Sequence, residues 1–281
     1  MEPGSGRVFY TPLHEQHQTL HLGMFRKFRI AILIFILATV GLGAWRANAR
    51  LTTWEHSVHV AIYPIAADDS PATRSYLNHL SIDSFEDIAQ WMQTESNRHG
   101  RSVLQPIVLH LASPLTDKPP LAPSHPSAQE AILWSLKLRW WASQNDAIAG
   151  PKPQVRLFVL FHDPELNSRT PHSTGLAKGQ IGLIHAYANR QQRRQNNVVI
   201  AHELLHTFGA TDKYDLATLQ PIHPQGYAEP QRTPRLPQAR AEIMGGRTPI
   251  DEVTSEIPAS LTETVIGQET AREIGLLRTD R

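Results

Sequence analysis

The spacing of apolar positions divides the chain into short elements. Val58, Val60 and Ile62 alternate with His59, Ala61 and Tyr63, the period of a strand. Phe85, Ile88, Ala89 and Met92 then recur at helical intervals behind Ser84, which is suited to cap a helix, and Gly100 marks its end. Residues 103–111 read as a second strand, which Pro106 consigns to an edge or a bulge. After a proline-rich loop at 113–126, residues 127–145 form a helix with Ile132, Leu136 and Trp140 in register. Trp134, Trp140 and Trp141 on this helix are expected in the core rather than against a membrane or a substrate. The unbroken apolar run Leu157 to Phe161 suits a strand covered on both faces. Residues 180–187 read as another strand, and the Arg-rich loop after it leads into a further helix. This order predicts a mixed sheet with helices packed on it, an α/β or α+β sandwich. The pattern is lost from 213 to 241, where five prolines fall, and residues 260–277 suit a closing helix.

Ahead of these elements lie a polar stretch, residues 1–29 with His14, His17 and His21, and a wholly apolar run, residues 30–45, opened by Ile30 and closed by Trp45. Arg26, Lys27 and Arg29 precede the run and Arg46 follows it. The first stretch reads as an unstructured tail and the second as a single transmembrane helix, with its arginines snorkelling to the interface. Ala47-Asn48-Ala49 also resembles a signal-peptide cleavage pattern, and cutting after Ala49 would give a secreted protein. Either reading places residues 50–281 outside the cytoplasm, periplasmic or extracellular.

The chemistry concentrates at one helix. His202 and His206 are four residues apart, so they lie on one face about a turn from each other, as two imidazoles sharing a metal ion require. Glu203 is angled round the same helix and can hold a water without being a ligand. Ala201, Leu204, Leu205 and Phe208 supply an apolar stripe to bury, Asn196 or Asn197 suits the start, and Gly209 the left-handed stop. Asp212 follows three residues later. Two histidines and a carboxylate leave a position open on the metal, which marks a catalytic rather than a structural zinc site.

Composition narrows the field further. A net charge of +1 gives no electrostatic case for nucleic acid. With no cysteine, disulfides and thiolate ligands are excluded, so a metal must be held by His, Asp, Glu or water, donors that suit Zn2+.

His202-Glu203-x-x-His206-x-x-Gly209-x-x-Asp212, together with the later Ile243-Met244-Gly245, resembles the metzincin zinc metallopeptidases, in the HExxHxxGxxD form of the snapalysin branch. The resemblance covers about residues 202–247. It implies an α+β metzincin-like zincin domain over residues 50–281 and a zinc-dependent endopeptidase. Its metal ligands would be His202, His206 and Asp212, with Glu203 as general base and Met244 in a turn beneath the metal. It also implies that the strand at 180–187 is the edge strand along which a peptide or protein substrate pairs. Tyr214 is a candidate oxyanion stabiliser, with packing under the loop as its alternative. Glu242 and Arg247 are candidates for an ion pair stapling the turn. Two other functions compete: a gluzincin-type peptidase whose third ligand is Glu229 or Glu242, and a non-catalytic envelope protein with a structural metal, in which Glu203 would have no task.

Overall fold

The computed structural model describes residues 27–35, 38–39, 41–42, 51–123, 127–176 and 180–277. The chain divides into two compact units, Met1–Ala47 and Asn48–Arg281, each taken by itself.

In the first unit the described residues are helical and exposed. Among the described residues no helix is long and apolar enough to cross a membrane. This corrects the expected transmembrane anchor at 30–45 and the single-pass membrane location that rested on it. An apolar composition permits a span but does not make one, because crossing takes a helix of about 20 residues. The tail at 1–26 and the Ala47 to Ala49 pattern lie outside the described residues.

The second unit is a mixed α+β fold on a five-stranded sheet. Its strands are β1 (Val58–Ala66), β2 (Ile107–Leu111), β3 (Val155–His162), β4 (Thr174–Leu176) and β5 (Ile181–Tyr187), in the order β2-β1-β3-β5-β4. All neighbours are parallel except β4, which runs antiparallel to β5. Pro106 has no amide hydrogen to give, and it stands just before edge strand β2 with its carbonyl accepting from Val58 N. The strands are joined through α1 (Pro71–Asn78), α2 (Glu86–Arg98) and α3 (Ala128–Gln144), and β5 leads into α4 (Arg193–Phe208).

The period-two alternation sorts side chains to the two faces of the sheet. Val60, Ile62, Leu157, Val159, Phe161, Ile184 and Ala186 pack with α2 and α4, whereas Ala61, Tyr63, Phe158, Leu160 and Leu183 pack with Leu138, Trp141 and Ala142 of α3.

Several expectations shift in detail. α1 opens on Ser70, whose side chain accepts from Ala72 N, with Pro71 in the first turn; this is a recognisable start signal on a segment too short to show a period. Ser84 does not cap α2, because residues Ile82–Phe85 form a 3-10 turn that runs into it. Ser127 does cap α3, in a reciprocal capping box with Glu130. Of the tryptophans on α3, Trp141 is buried, Trp134 is half-buried, and Trp140 is exposed together with Ile132 and Leu136. A helical repeat reports that residues share a face, not whether anything covers that face.

The expected closing helix is broken up into a 3-10 turn (Leu261–Glu263), β9 (Thr264–Val265) and α5 (Gln268–Glu273). The β9 strand pairs with β6 (Ala241–Glu242), and a second small ribbon joins β7 (Thr248–Pro249) to β8 (Ser255–Glu256). Fully buried Trp54 binds this tail to α4: its ring meets Phe208 edge-on at 5.1 Å, and its Nε1 donates to Ile274 O at 2.7 Å.

At the ends of β3 and β5, His162 Nε2 and His185 Nδ1 are 2.8 Å apart. Burial, aided by the neighbouring His162, pushes the His185 pKa down to about 4. The unfolded chain therefore binds this proton below about pH 6.5 while the folded chain refuses it, so stability present above that pH is lost as pH falls toward 4. Urea unfolding midpoints should fall between pH 7 and pH 4.5, and His185→Gln should flatten that dependence.

Candidate metal centre

The site is built on α4. Its stripe Ala201, Leu204, Leu205 and Phe208 is buried against the sheet, which turns His202 and His206 toward the following chain. The helix starts at Arg193, before either expected cap. Both asparagines are spent on tertiary bonds instead. Asn196 accepts from Tyr187 N and donates to Tyr187 O, and Asn197 donates to Ser84 O. Gly209, at φ 106°, ends the helix in the left-handed conformation as expected and sends the chain back toward the histidines.

His202, Glu203 and His206 form a group able to hold a metal ion, with one donor atom of each within 4.8 Å of the others. Asp212 joins the two imidazoles more tightly. Its Oδ1 lies 3.2 Å from His202 Nε2 and 3.2 Å from His206 Nε2, and the two nitrogens are 3.1 Å apart. Each imidazole is oriented through its other nitrogen: His202 Nδ1 donates to Ile243 O at 2.9 Å and His206 Nδ1 to Ala210 O at 2.8 Å. A carbonyl can only accept, so in the neutral rings the proton is on Nδ1 and the Nε2 lone pairs converge with the carboxylate. Three electron-rich atoms at this distance repel one another unless a cation lies between them. For ligand bonds of about 2.0–2.1 Å in a tetrahedral array, neighbouring ligand atoms sit about 3.3 Å apart, close to the edges of this triangle.

The ionisation of the group follows the same geometry. Burial opposes charge on Asp212, but hydrogen bonds donated by the imidazoles in their protonated form prevail and hold its pKa well below the usual carboxylate range. Burial likewise opposes charge on His202, and Asp212, Glu203 and the Ile243 carbonyl outweigh it and raise its pKa. Burial raises the pKa of Glu203 against the lowering influence of the two histidines and the Gly175 amide. Glu203 Oε2 is buried without a hydrogen-bond partner, the condition of a carboxylate kept ready to take a proton.

The Met244 turn supports the site chiefly through its main chain. Met244 itself is fully buried in the 3-10 turn Ile243–Gly245. The Ile243 carbonyl orients His202, and the Met244 carbonyl accepts from Lys213 N, next to Asp212. The irregular segment after Asp212 is layered on this turn with no room for side chains. A Cβ on Gly226 would fall 2.2 Å from Lys213 O, and one on Gly245 would fall 2.5 Å from Gly226 O.

Both alternative third ligands are engaged elsewhere. Glu242 is wholly buried and its carboxylate is occupied: Oε2 accepts from Gly245 N, and Oε1 from Gly267 N and Thr270 Oγ1. Glu242 therefore staples the turn to α5 rather than pairing with Arg247. Glu229 pairs with Arg232 at 3.3 Å. Tyr214 does come to the site, with its ring 6.5 Å from that of His202. Burial and the charges of Asp212 and Glu203 push its pKa up to about 12, so the phenol keeps its proton as a donor.

The expected edge strand needs correction. β5 at 181–187 is flanked on both sides, and the edge is the short antiparallel strand β4. β4 lies directly against α4: a Cβ on Gly175 would meet His206 Cβ at 2.4 Å and Glu203 O at 2.7 Å. A three-residue strand shows too little alternation to be read from sequence.

No family model matches this chain, and no curated protein matches it. Among solved structures with some likeness is wild-type OgpA from Akkermansia muciniphila, at 10% sequence identity and a TM-score of 0.35. The match covers 80% of this chain and 62% of that one, so the chain spans less than two thirds of its length. A likeness this loose carries no argument about fold or activity.

Gly175→Ala should force β4 off the helix, lowering unfolding stability by about 1–3 kcal/mol and reducing the capacity of the group to hold a metal ion. Denaturant titration together with metal analysis of the purified variant checks both.

Proposed function

We propose that the protein is a zinc-dependent endopeptidase of the metzincin HExxHxxGxxD type, hydrolysing peptide bonds with His202, His206 and Asp212 as ligands and Glu203 as general base. The observation that carries this reading is the convergence of His202 Nε2, His206 Nε2 and Asp212 Oδ1 beside a buried Glu203 oxygen without a partner. A structural metal would need no such carboxylate. When bound, zinc lowers the pKa of a coordinated water to about 7 and polarises a carbonyl.

Glu203 accepts the proton of the attacking water at its carboxylate and returns it to the leaving amine nitrogen as the C–N bond breaks. Tyr214, kept protonated, donates toward the oxygen that gains charge in the transition state. β4 is the last strand of the sheet, and an extended peptide can add along it as a further strand, with selectivity coming from side-chain pockets.

Glu203→Gln tests this reading, because the amide keeps the shape and cannot take the proton. The variant should retain zinc at the wild-type stoichiometry and lose peptide cleavage by about 10²–10⁴-fold. Undiminished cleavage by Glu203→Gln would refute the assignment, and a wild-type protein that binds zinc without cleaving any of a diverse peptide library would favour a structural metal.

A further inference from the structure

Asp212 lies between two residues that are held from outside the α4 motif. Lys213 is 6% exposed, and its Nζ makes three bonds: to Thr211 O at 2.8 Å, to Thr211 Oγ1 at 2.7 Å and to Glu273 Oε2 at 2.7 Å. Glu273 in turn accepts from Thr211 N at 3.0 Å and from Thr211 Oγ1 at 2.7 Å. Thr211 and Lys213 are thereby locked on either side of the aspartate. The backbone of Lys213 is pinned as well, its N–H donating to Met244 O and its carbonyl accepting from Ile222 N.

The far end of this network is anchored in the core. Glu273 is the last residue of α5, whose Ala271 is fully buried, and the next residue, Ile274, receives the Trp54 indole bond. Trp54 packs on Phe208, the last residue of α4. The end of the helix that carries both histidines and the segment that grips Asp212 are thus referred to one rigid point.

Lys213 is buried and Glu273 partly so, and an ion pair withdrawn from water gains little net stability, because desolvation consumes most of the attraction. Its distinctive contribution is fixed geometry: charged, fully bonded groups tolerate little displacement. Nothing in the HExxH helix itself fixes a side chain beyond Gly209, so the third ligand depends on such a device.

We propose that Lys213 and Glu273, acting through Thr211, are positioning residues that set the metal affinity of the centre by holding Asp212 within reach of both imidazoles. This inference rests on the ligand assignment above and extends it to a remote pair of side chains. Loss of an outer partner of a metal ligand typically weakens binding 10–100-fold, and this range is expected here.

The test measures zinc affinity of the full chain by competition with a chromogenic chelator, together with the cobalt absorption spectrum and the melting temperature of the metal-free protein. The variants are Lys213→Met, Glu273→Gln, Asp212→Ala and Arg101→Met. The last removes bonds to Leu276 O and Gly275 O at the end of the same C-terminal segment but leaves the clamp intact. The expected result is a zinc Kd raised 10–100-fold in Lys213→Met and Glu273→Gln, an altered cobalt spectrum at saturation, and a Kd within about threefold of wild type in Arg101→Met. Should Lys213→Met not fold, Glu273→Gln, isosteric with the native residue, carries the test. Zinc affinity unchanged in Glu273→Gln but lost in Asp212→Ala would overturn the clamp while leaving the ligand assignment standing. An effect in Arg101→Met as large as in Glu273→Gln would also overturn it, because general loosening of the C-terminal segment would then suffice. Wild-type affinity in Asp212→Ala would remove the assignment on which the clamp depends.

Discussion

Two imidazole nitrogens and a carboxylate oxygen held within 3.2 Å of one another make the arrangement on which the rest of the site depends. Left to themselves these atoms would separate, because each presents lone pairs to the others. They stay together because their other ends are occupied by rigid backbone. Ile243 O and Ala210 O take the histidine Nδ1 protons, and the chain on either side of Asp212 is fixed by Met244 O, Thr211 and Glu273. The cost of assembling the centre is thus met during folding, which is the physical meaning of preorganisation at a metal site.

That frame requires α4 to be immobile, and the fold meets the requirement from both sides. The helix buries an apolar stripe against the sheet, and its end is locked by Trp54 on Phe208. β4 approaches its polar side so closely that only glycine fits at 175. The helix backbone is therefore sandwiched between a hydrophobic core and an edge strand, and Glu203, facing β4, keeps one carboxylate oxygen buried and without a protein hydrogen-bond partner. The same contact brings the edge strand to the metal centre, which links the packing of Gly175 to the peptide-binding role proposed for β4.

Acidic residues near the motif are sorted by their partners. Glu242 and Asp212 are both carboxylates within reach of the turn by sequence, yet their environments differ. Glu242 is surrounded by donors, two amides and a hydroxyl, and acts as a staple. Asp212 faces the Nε2 atoms of two imidazoles, a set of donors able to hold a cation. Burial raises the pKa of Glu242 while its donors oppose the shift, whereas the histidines dominate at Asp212 and lower its pKa.

What could be read from the sequence was local. Spacing of four placed His202 and His206 on one face, the stripe from Ala201 to Phe208 gave that helix its buried side, Gly209 its stop, and alternation from Val58 gave a strand. These features follow from backbone periods of 3.6 and 2.0, which any window of a dozen residues displays. Periodicity failed where partners decide the outcome. The stripe of Ile132, Leu136 and Trp140 is exposed, β4 is too short to show a period, and the apolar run at 30–45 gave no membrane-crossing helix among the described residues. The asparagines expected to cap α4 went to Tyr187 and Ser84, because side-chain amides bond wherever the fold brings unpaired groups. The residues that converge on Asp212, from Trp54 to Glu273, are separated by more than two hundred positions. Sequence alone determined which residues can ligate a metal and on which helix face two of them lie. Only tertiary structure decided that Asp212 rather than Glu242 or Glu229 meets the histidines, because an aspartate beyond the end of a helix has no fixed place until distant backbone groups supply one.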